Sequence, residues 1–143
     1  MEKLDNSSLM VGDWVSCDGK NYQIAEIGGM VCLDAEKEIF ASLEDITPIP
    51  ITPEILEKNG FNEQGKGENY TDYVFVPAIE GAPAPILVGF YKKPIKGVSI
   101  LFKCTRSVCN GGGINDLHLC TLNYVHELQH ALKLCGIDKE IKL

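Results

Sequence analysis

The chain has 143 residues, is 45% hydrophobic and carries a formal charge of −7. That is about one ordinary domain, able to bury roughly two thirds of its unfolded surface. The first eight residues are polar and no apolar run approaches the ~20 residues that span a bilayer, so neither secretion nor membrane contact is expected, and a cytoplasmic setting is.

The charge is unevenly placed. Residues 1–50 hold ten Asp or Glu against three Lys, while residues 51–143 hold ten of each sign. Within the neutral part, Lys92, Lys93, Lys96, Lys103 and Arg106 form a stretch of local charge +5 without an acid between residues 91 and 106. An acidic lobe joined to a locally basic one is not the usual charge pattern of a nucleic-acid binder. Docking between the two lobes is the simplest use for it.

In chain order, residues 1–50 read as short strands with turns between them: Asp13 to Cys17, Tyr22 to Ile27, Met30 to Leu33 and Ile39 to Ser42. Asp18-Gly19 is a strong hairpin signal, because both turn positions favour positive φ. Four such strands suit a small SH3-like barrel, with Leu43 to Ile46 adding one helical turn. Pro48, Pro50 and Pro53 then mark a boundary. The expected division is a barrel lobe over 1–50 and an α+β lobe over 51–143, or the two packed as one domain.

The second lobe opens with a short helix capped by Thr52, with Pro53 at its first position, Glu54 in its first turn and Asn59-Gly60 at its end. Residues 61–69 read as an exposed loop. Strands over Tyr70 to Val76, Ile86 to Tyr91 and Val98 to Lys103 are expected to form an antiparallel meander, with a further short strand near Leu117 to Leu122. A helix from Tyr124 to Cys135 follows, capped by Asn123 and stopped by Gly136. The fold class is therefore α+β: an N-terminal SH3-like β-barrel packed with an antiparallel sheet and two helices, the last one C-terminal.

The chemically suggestive motif lies in that last helix, where His126-Glu127-Leu128-Gln129-His130 matches HExxH. In zinc hydrolases this spacing puts two ligands on one helical face and a general base between them. At ~100° per residue, Val125, Leu128, Leu132 and Cys135 form an apolar stripe, and His126 and His130 fall opposite it beside Gln129 and Lys133. That is the polar face of an amphipathic helix, expected to be open to solvent or a partner. The extended zinc motif fails at Lys133 and Gly136, leaving only His118, Asp138 or Glu140 as a third ligand. No metal, cofactor or catalytic residue is assigned; the alternative is a zinc hydrolase with His126 and His130 as ligands and Glu127 as base.

Other signals are weaker. Gly111-Gly112-Gly113 lacks the GK[ST] ending of a phosphate loop and reads as a turn. Cys104, Cys109, His118 and Cys120 match no zinc-ribbon spacing. The six cysteines, Cys17, Cys32, Cys104, Cys109, Cys120 and Cys135, read as reduced and mostly buried thiols.

Three segments together carry a resemblance: Leu9 to Val15 (LMVGDWV), Ile51 to Leu56 (ITPEIL) through Gly60-Phe61, and Tyr124 to Leu132 (YVHELQHAL). They resemble a family of short uncharacterised proteins from gut anaerobes and their phages or mobile elements. The resemblance spans nearly the whole chain, with little contribution from residues 62–113. It implies no assigned activity and carries over no functional residue. The resemblance further implies that relatives often read HQLQN near the last helix, which would remove both the base and the second ligand.

The leading expectation is thus a small non-enzymatic binding protein, its partner a protein, with Lys92, Lys93, Lys96, Lys103 and Arg106 as an interaction surface. Nucleic-acid binding through the barrel or the 91–106 segment is the other alternative.

Overall fold

The computed structural model describes residues 4, 8–68, 70–75, 86–91, 97–104, 115–134 and 136–143, and for 86–91, 97–104 and 115–121 it describes the backbone. It is a mixed strand and helix structure with small antiparallel sheets and two helices, the second C-terminal.

The acidic first part forms two three-stranded antiparallel sheets. β1 (Trp14–Cys17) lies between β2 (Lys20–Gln23) and β6 (Ile46–Pro48); β4 (Val31–Asp34) lies between β3 (Glu26–Ile27) and β5 (Ile39–Ala41). The β1–β2 turn is made by Asp18 and Gly19 at φ 49° and 75°, with Cys17 opposite Lys20. Both turn residues adopt the positive φ that the Asp-Gly pair predicts.

The strand expected over Tyr22 to Ile27 is divided. The Ile24 amide donates to the Asp13 carbonyl at 2.9 Å, beside β1, and the Ala25 amide donates to the Cys32 carbonyl at 2.8 Å, on β4. One stretch of chain therefore changes sheets between adjacent residues, which is how a corner is built between two packed sheets. No closed barrel is found among the described residues. Leu9, Val15, Ile24, Val31, Leu33, Ala41 and Ile46 form the core of this part.

The helical turn expected at Leu43 to Ile46 is instead a tight turn leading into β6. The Asp45 amide donates to the Ser42 carbonyl and the Ser42 hydroxyl to the Asp45 carboxylate. Ile46 to Pro48 then pair with β1, which no apolar alternation signalled.

Helix α1 (Pro53–Lys58) forms where its signals place it: the Thr52 hydroxyl accepts the Ile55 amide, and Gly60 follows at φ 84°. The amides of Gly60 and Phe61 bond back to the carbonyls of Glu57 and Leu56. This is a Schellman ending, in which the buried Phe61 supplies the hydrophobic contact that accompanies it.

A five-stranded antiparallel meander follows in the order β11-β10-β9-β8-β7: β7 (Asn62–Lys66), β8 (Tyr70–Phe75), β9 (Ile86–Tyr91), β10 (Gly97–Cys104) and β11 (Asn115–Leu122). Three of these strands fall where the sequence puts them, and β11 extends the short one expected near Leu117. β7 corrects the loop expected over 61–69. It is an edge strand with Asn62, Glu63 and Lys66 exposed and a register irregularity between Glu63 and Gly65. A strand whose described side chains face water shows no apolar period.

The terminal helix α2 (Val125–Leu134) closes the larger core, which joins Ile49, Ile51, Leu56, Phe61, Tyr73 and Leu122 to Val125, Leu128, Ala131, Leu132, Ile137 and Ile141. It ends in the same way as α1: Gly136 has φ 74°, its amide reaches Lys133, and the amide of buried Ile137 reaches Leu132. Among the described residues no helix is long and apolar enough to cross a membrane.

Candidate functional site at the HELQH helix

Val125, Leu128 and Leu132 are buried to within 1% of their surface, as the apolar stripe requires. Each such side chain contributes roughly 1.5–3 kcal/mol relative to exposure. The opposite face differs from expectation: His126 is 4% exposed and the His130 side chain 24%. Neither is the freely solvated histidine that the helical period suggests. Amphipathic spacing separates apolar from polar faces, but it does not say whether the polar face meets water or more protein.

Here it meets the segment that leads into β1. Gln129 accepts the Trp14 amide at 2.9 Å through Oε1 and donates to the Gly12 carbonyl at 3.0 Å through Nε2. His130 donates through Nε2 to both carboxylate oxygens of Asp13, at 2.9 and 2.8 Å. Asp13 has no exposed surface, and its Oδ2 also accepts the Met10 amide at 2.8 Å. The Trp14 indole donates to the Ile141 carbonyl at 2.6 Å. Four consecutive contacts thus bind residues 12–14 to α2 and the segment after it.

Glu127 is the residue that a zinc hydrolase would use as base. Its Oε1 instead accepts the amides of Asn123 and Tyr124, at 3.1 and 3.0 Å. Glu127 is the third residue of the helix and closes a capping arrangement over the orphan amides at the start, where a negative charge also meets the helix dipole. This corrects the expected Asn123 cap: the glutamate reaches backwards to fill that role. The start is held further by the Val125 amide on the Ile49 carbonyl and the Ile51 amide on the Asn123 carbonyl.

The rings of Tyr124 and His126 stack with centroids 6.0 Å apart, and those of His126 and His130 meet edge-on at 5.8 Å. Of the third ligands considered, Asp138 and Glu140 are exposed, and the side chain of His118 lies outside the described residues. Among the described residues, no three His, Cys, Asp or Glu side chains converge to hold a metal ion. The carboxylate that His130 finds is Asp13, 117 residues upstream. Sequence reading missed it, since nothing in local spacing connects the two positions.

Asn59 ends α1 as expected, but its bonds to residue 142 are not signalled by local sequence. It is buried, and its amide donates to the carbonyls of Ile55 and Lys142 while its oxygen accepts the Lys142 amide, each at 2.7 Å. Lys58 donates to the Leu143 carbonyl beside it. Lys142 and Leu143 are therefore fixed to α1.

Of the proposed interaction surface, Lys92, Lys93, Lys96 and Arg106 lie outside the described residues, as do Cys109, Cys135 and Gly111 to Gly113. Lys103 lies on β10, with its side chain also outside the description, as are those of Cys104 and Cys120. Cys32 is buried and Cys17 half-buried, both free thiols. Burial, followed by the charges of Asp18 and Asp45, pushes the Cys17 thiol up, which disfavours the nucleophilic thiolate. Burial likewise raises the Tyr73 phenol, with Glu57, Glu63 and Glu54 adding to the effect. The Glu54 carboxyl is held below its usual range by its backbone N–H and the Thr52 hydroxyl.

No family model, curated protein or solved structure matches the chain.

Proposed function

We propose that the protein is a small non-enzymatic binding module whose partner is another protein. The observation that carries this reading is Glu127: its carboxylate is engaged by two backbone amides at the start of α2. With His130 held by Asp13 and Gln129 by the β1 segment, the HELQH residues act as structural ties. The chemistry that would otherwise argue for an enzyme is thereby accounted for.

Surface composition supports binding. Among the described residues, Met10, Val11, Met30 and Phe40 of the acidic first fifty are each about half exposed, and Leu134 at the end of α2 is more exposed still. Where such side chains gather into one apolar patch rimmed by polar residues, the patch marks an interaction face. The sheet-switching strand at Ile24-Ala25 favours an SH3-like arrangement for this part, a scaffold on which loops and exposed faces serve recognition. The resemblance to proteins of gut anaerobes and their phages favours a cytoplasmic host complex as the target.

The test pairs metal analysis with a stability measurement. Tag-free protein is expected to hold less than about a tenth of an equivalent of zinc, and Glu127→Ala to lower its stability. Stoichiometric zinc, with Glu127→Ala leaving stability unchanged while abolishing peptide hydrolysis, would replace this reading with the zinc hydrolase.

A further inference from the structure

Directly paired residues on antiparallel neighbours share a face of the sheet. In the β3-β4-β5 sheet, Ile27, Val31 and Ala41 form one row and pack in the core. Glu26, Cys32 and Phe40 form the next row, on the opposite face. There Cys32 is only 3% exposed, whereas Phe40 on the edge strand is 54% exposed. Met30, 53% exposed, leads into β4 two residues before Cys32.

The charge around this face has one sign. From residue 26 to residue 45 stand Glu26, Asp34, Glu36, Glu38, Glu44 and Asp45, against Lys37 alone. Glu26, Glu36, Glu38, Glu44 and Asp45 are exposed. A field of this sign repels phosphate backbones, anionic membranes and a second copy of the same lobe. It attracts a cationic partner, raising the encounter rate and excluding wrong ones. The two bulky side chains supply the apolar contact that charge alone does not.

We propose that the acidic surface carrying the exposed Phe40 and Met30 binds a basic protein segment carrying a bulky apolar anchor. The anchor seats on the two exposed side chains, and its lysines or arginines meet the surrounding carboxylates. The proposal rests on the binding-module reading and gives it a surface and a partner chemistry.

The test is selection of random twelve-residue peptides displayed on particles, using the full chain, followed by synthesis of the enriched sequences and titration by fluorescence anisotropy. Enriched peptides are expected to be net positive with an aromatic or branched aliphatic residue. Phe40→Ser should weaken them at least about tenfold without changing the thermal midpoint. The double variant Glu26→Lys, Glu36→Lys should also weaken them, chiefly at low salt. Enrichment of neutral or acidic peptides, or affinity unchanged by both variants, overturns the proposed face while leaving a binding module in place. A dimer in sedimentation that Phe40→Ser dissociates overturns it in favour of self-association. Failure to enrich any peptide above background overturns the face and removes support from the binding-module reading together.

Discussion

Asp13 and His130 meet across 117 residues, with the imidazole Nε2 within 2.9 Å of both carboxylate oxygens and the Asp13 side chain shut off from solvent. A buried carboxylate that loses a donor retains its desolvation cost, so truncating the partner is more damaging than the net worth of the bond. His130→Ala is expected to destabilise the protein by about 2 kcal/mol, read from urea unfolding. Asp13→Ala should cost a similar amount, and the double variant clearly less than the two singles combined. Additive losses would show that the pair does not act as a unit.

The Glu127 carboxylate makes a separate prediction, because a cap and a general base fail differently. Glu127→Ala should cost about 1 kcal/mol, with loss of helical signal at the start of α2. Glu127→Gln retains an acceptor oxygen but no charge, so its loss should be smaller. Equal effects of the two substitutions would indicate that the backbone bonds contribute little and the charge contributes most.

Local chemistry made much of this fold readable. Thr52-Pro53-Glu54, the two helix-ending glycines and the Asp18-Gly19 turn each act through neighbours a few residues away, and each sits as its chemistry requires. The unread parts depend on distant chain. β6 and β7 carry no clear alternation because Ile46 to Pro48 form a three-residue strand that ends in a proline and Asn62 to Lys66 an edge strand. The polar face of α2 was identified as polar, but Asp13, Trp14 and Gly12 cover it, and a helical period carries no information about what lies opposite. The helical period places His126 opposite the apolar stripe, yet His126 is buried too. The actual partners of the candidate zinc motif were legible only once residues 12–14 and 126–130 stood together.

At alkaline pH, two groups should erode stability. The folded state raises both the Cys17 thiol and the Tyr73 phenol, so it holds these protons more tightly than the unfolded chain does. Their contribution is fully present below the unfolded values, about 8.5 for a thiol and about 10 for a phenol. It is lost as pH rises through the higher folded values. The urea midpoint should therefore decline above about pH 9, first through Cys17 and then through Tyr73. Cys17→Ser should flatten the early part of the decline and Tyr73→Phe the later part. A decline identical in both variants would assign the effect to other groups.

Trp14, the single tryptophan of the chain, stands where the first lobe meets the terminal helix. Its amide is held by Gln129 and its indole by the Ile141 carbonyl, while Val15 next to it lies fully buried in the core of the first lobe. The indole itself packs against the larger core. One residue pair thus straddles both cores, and drawing the two cores apart breaks its hydrogen bonds. Urea unfolding followed by tryptophan fluorescence and by far-UV circular dichroism is expected to give coincident transitions, as for one cooperative unit. Trp14→Phe removes the donor to Ile141 and should lower stability by about 1 kcal/mol, with increased proteolysis of the segment after Gly136. A fluorescence transition well ahead of the dichroism transition would mean that the lobes part while their secondary structure persists, and that the ties from residues 12–14 to α2 are not strong enough to make them fold together.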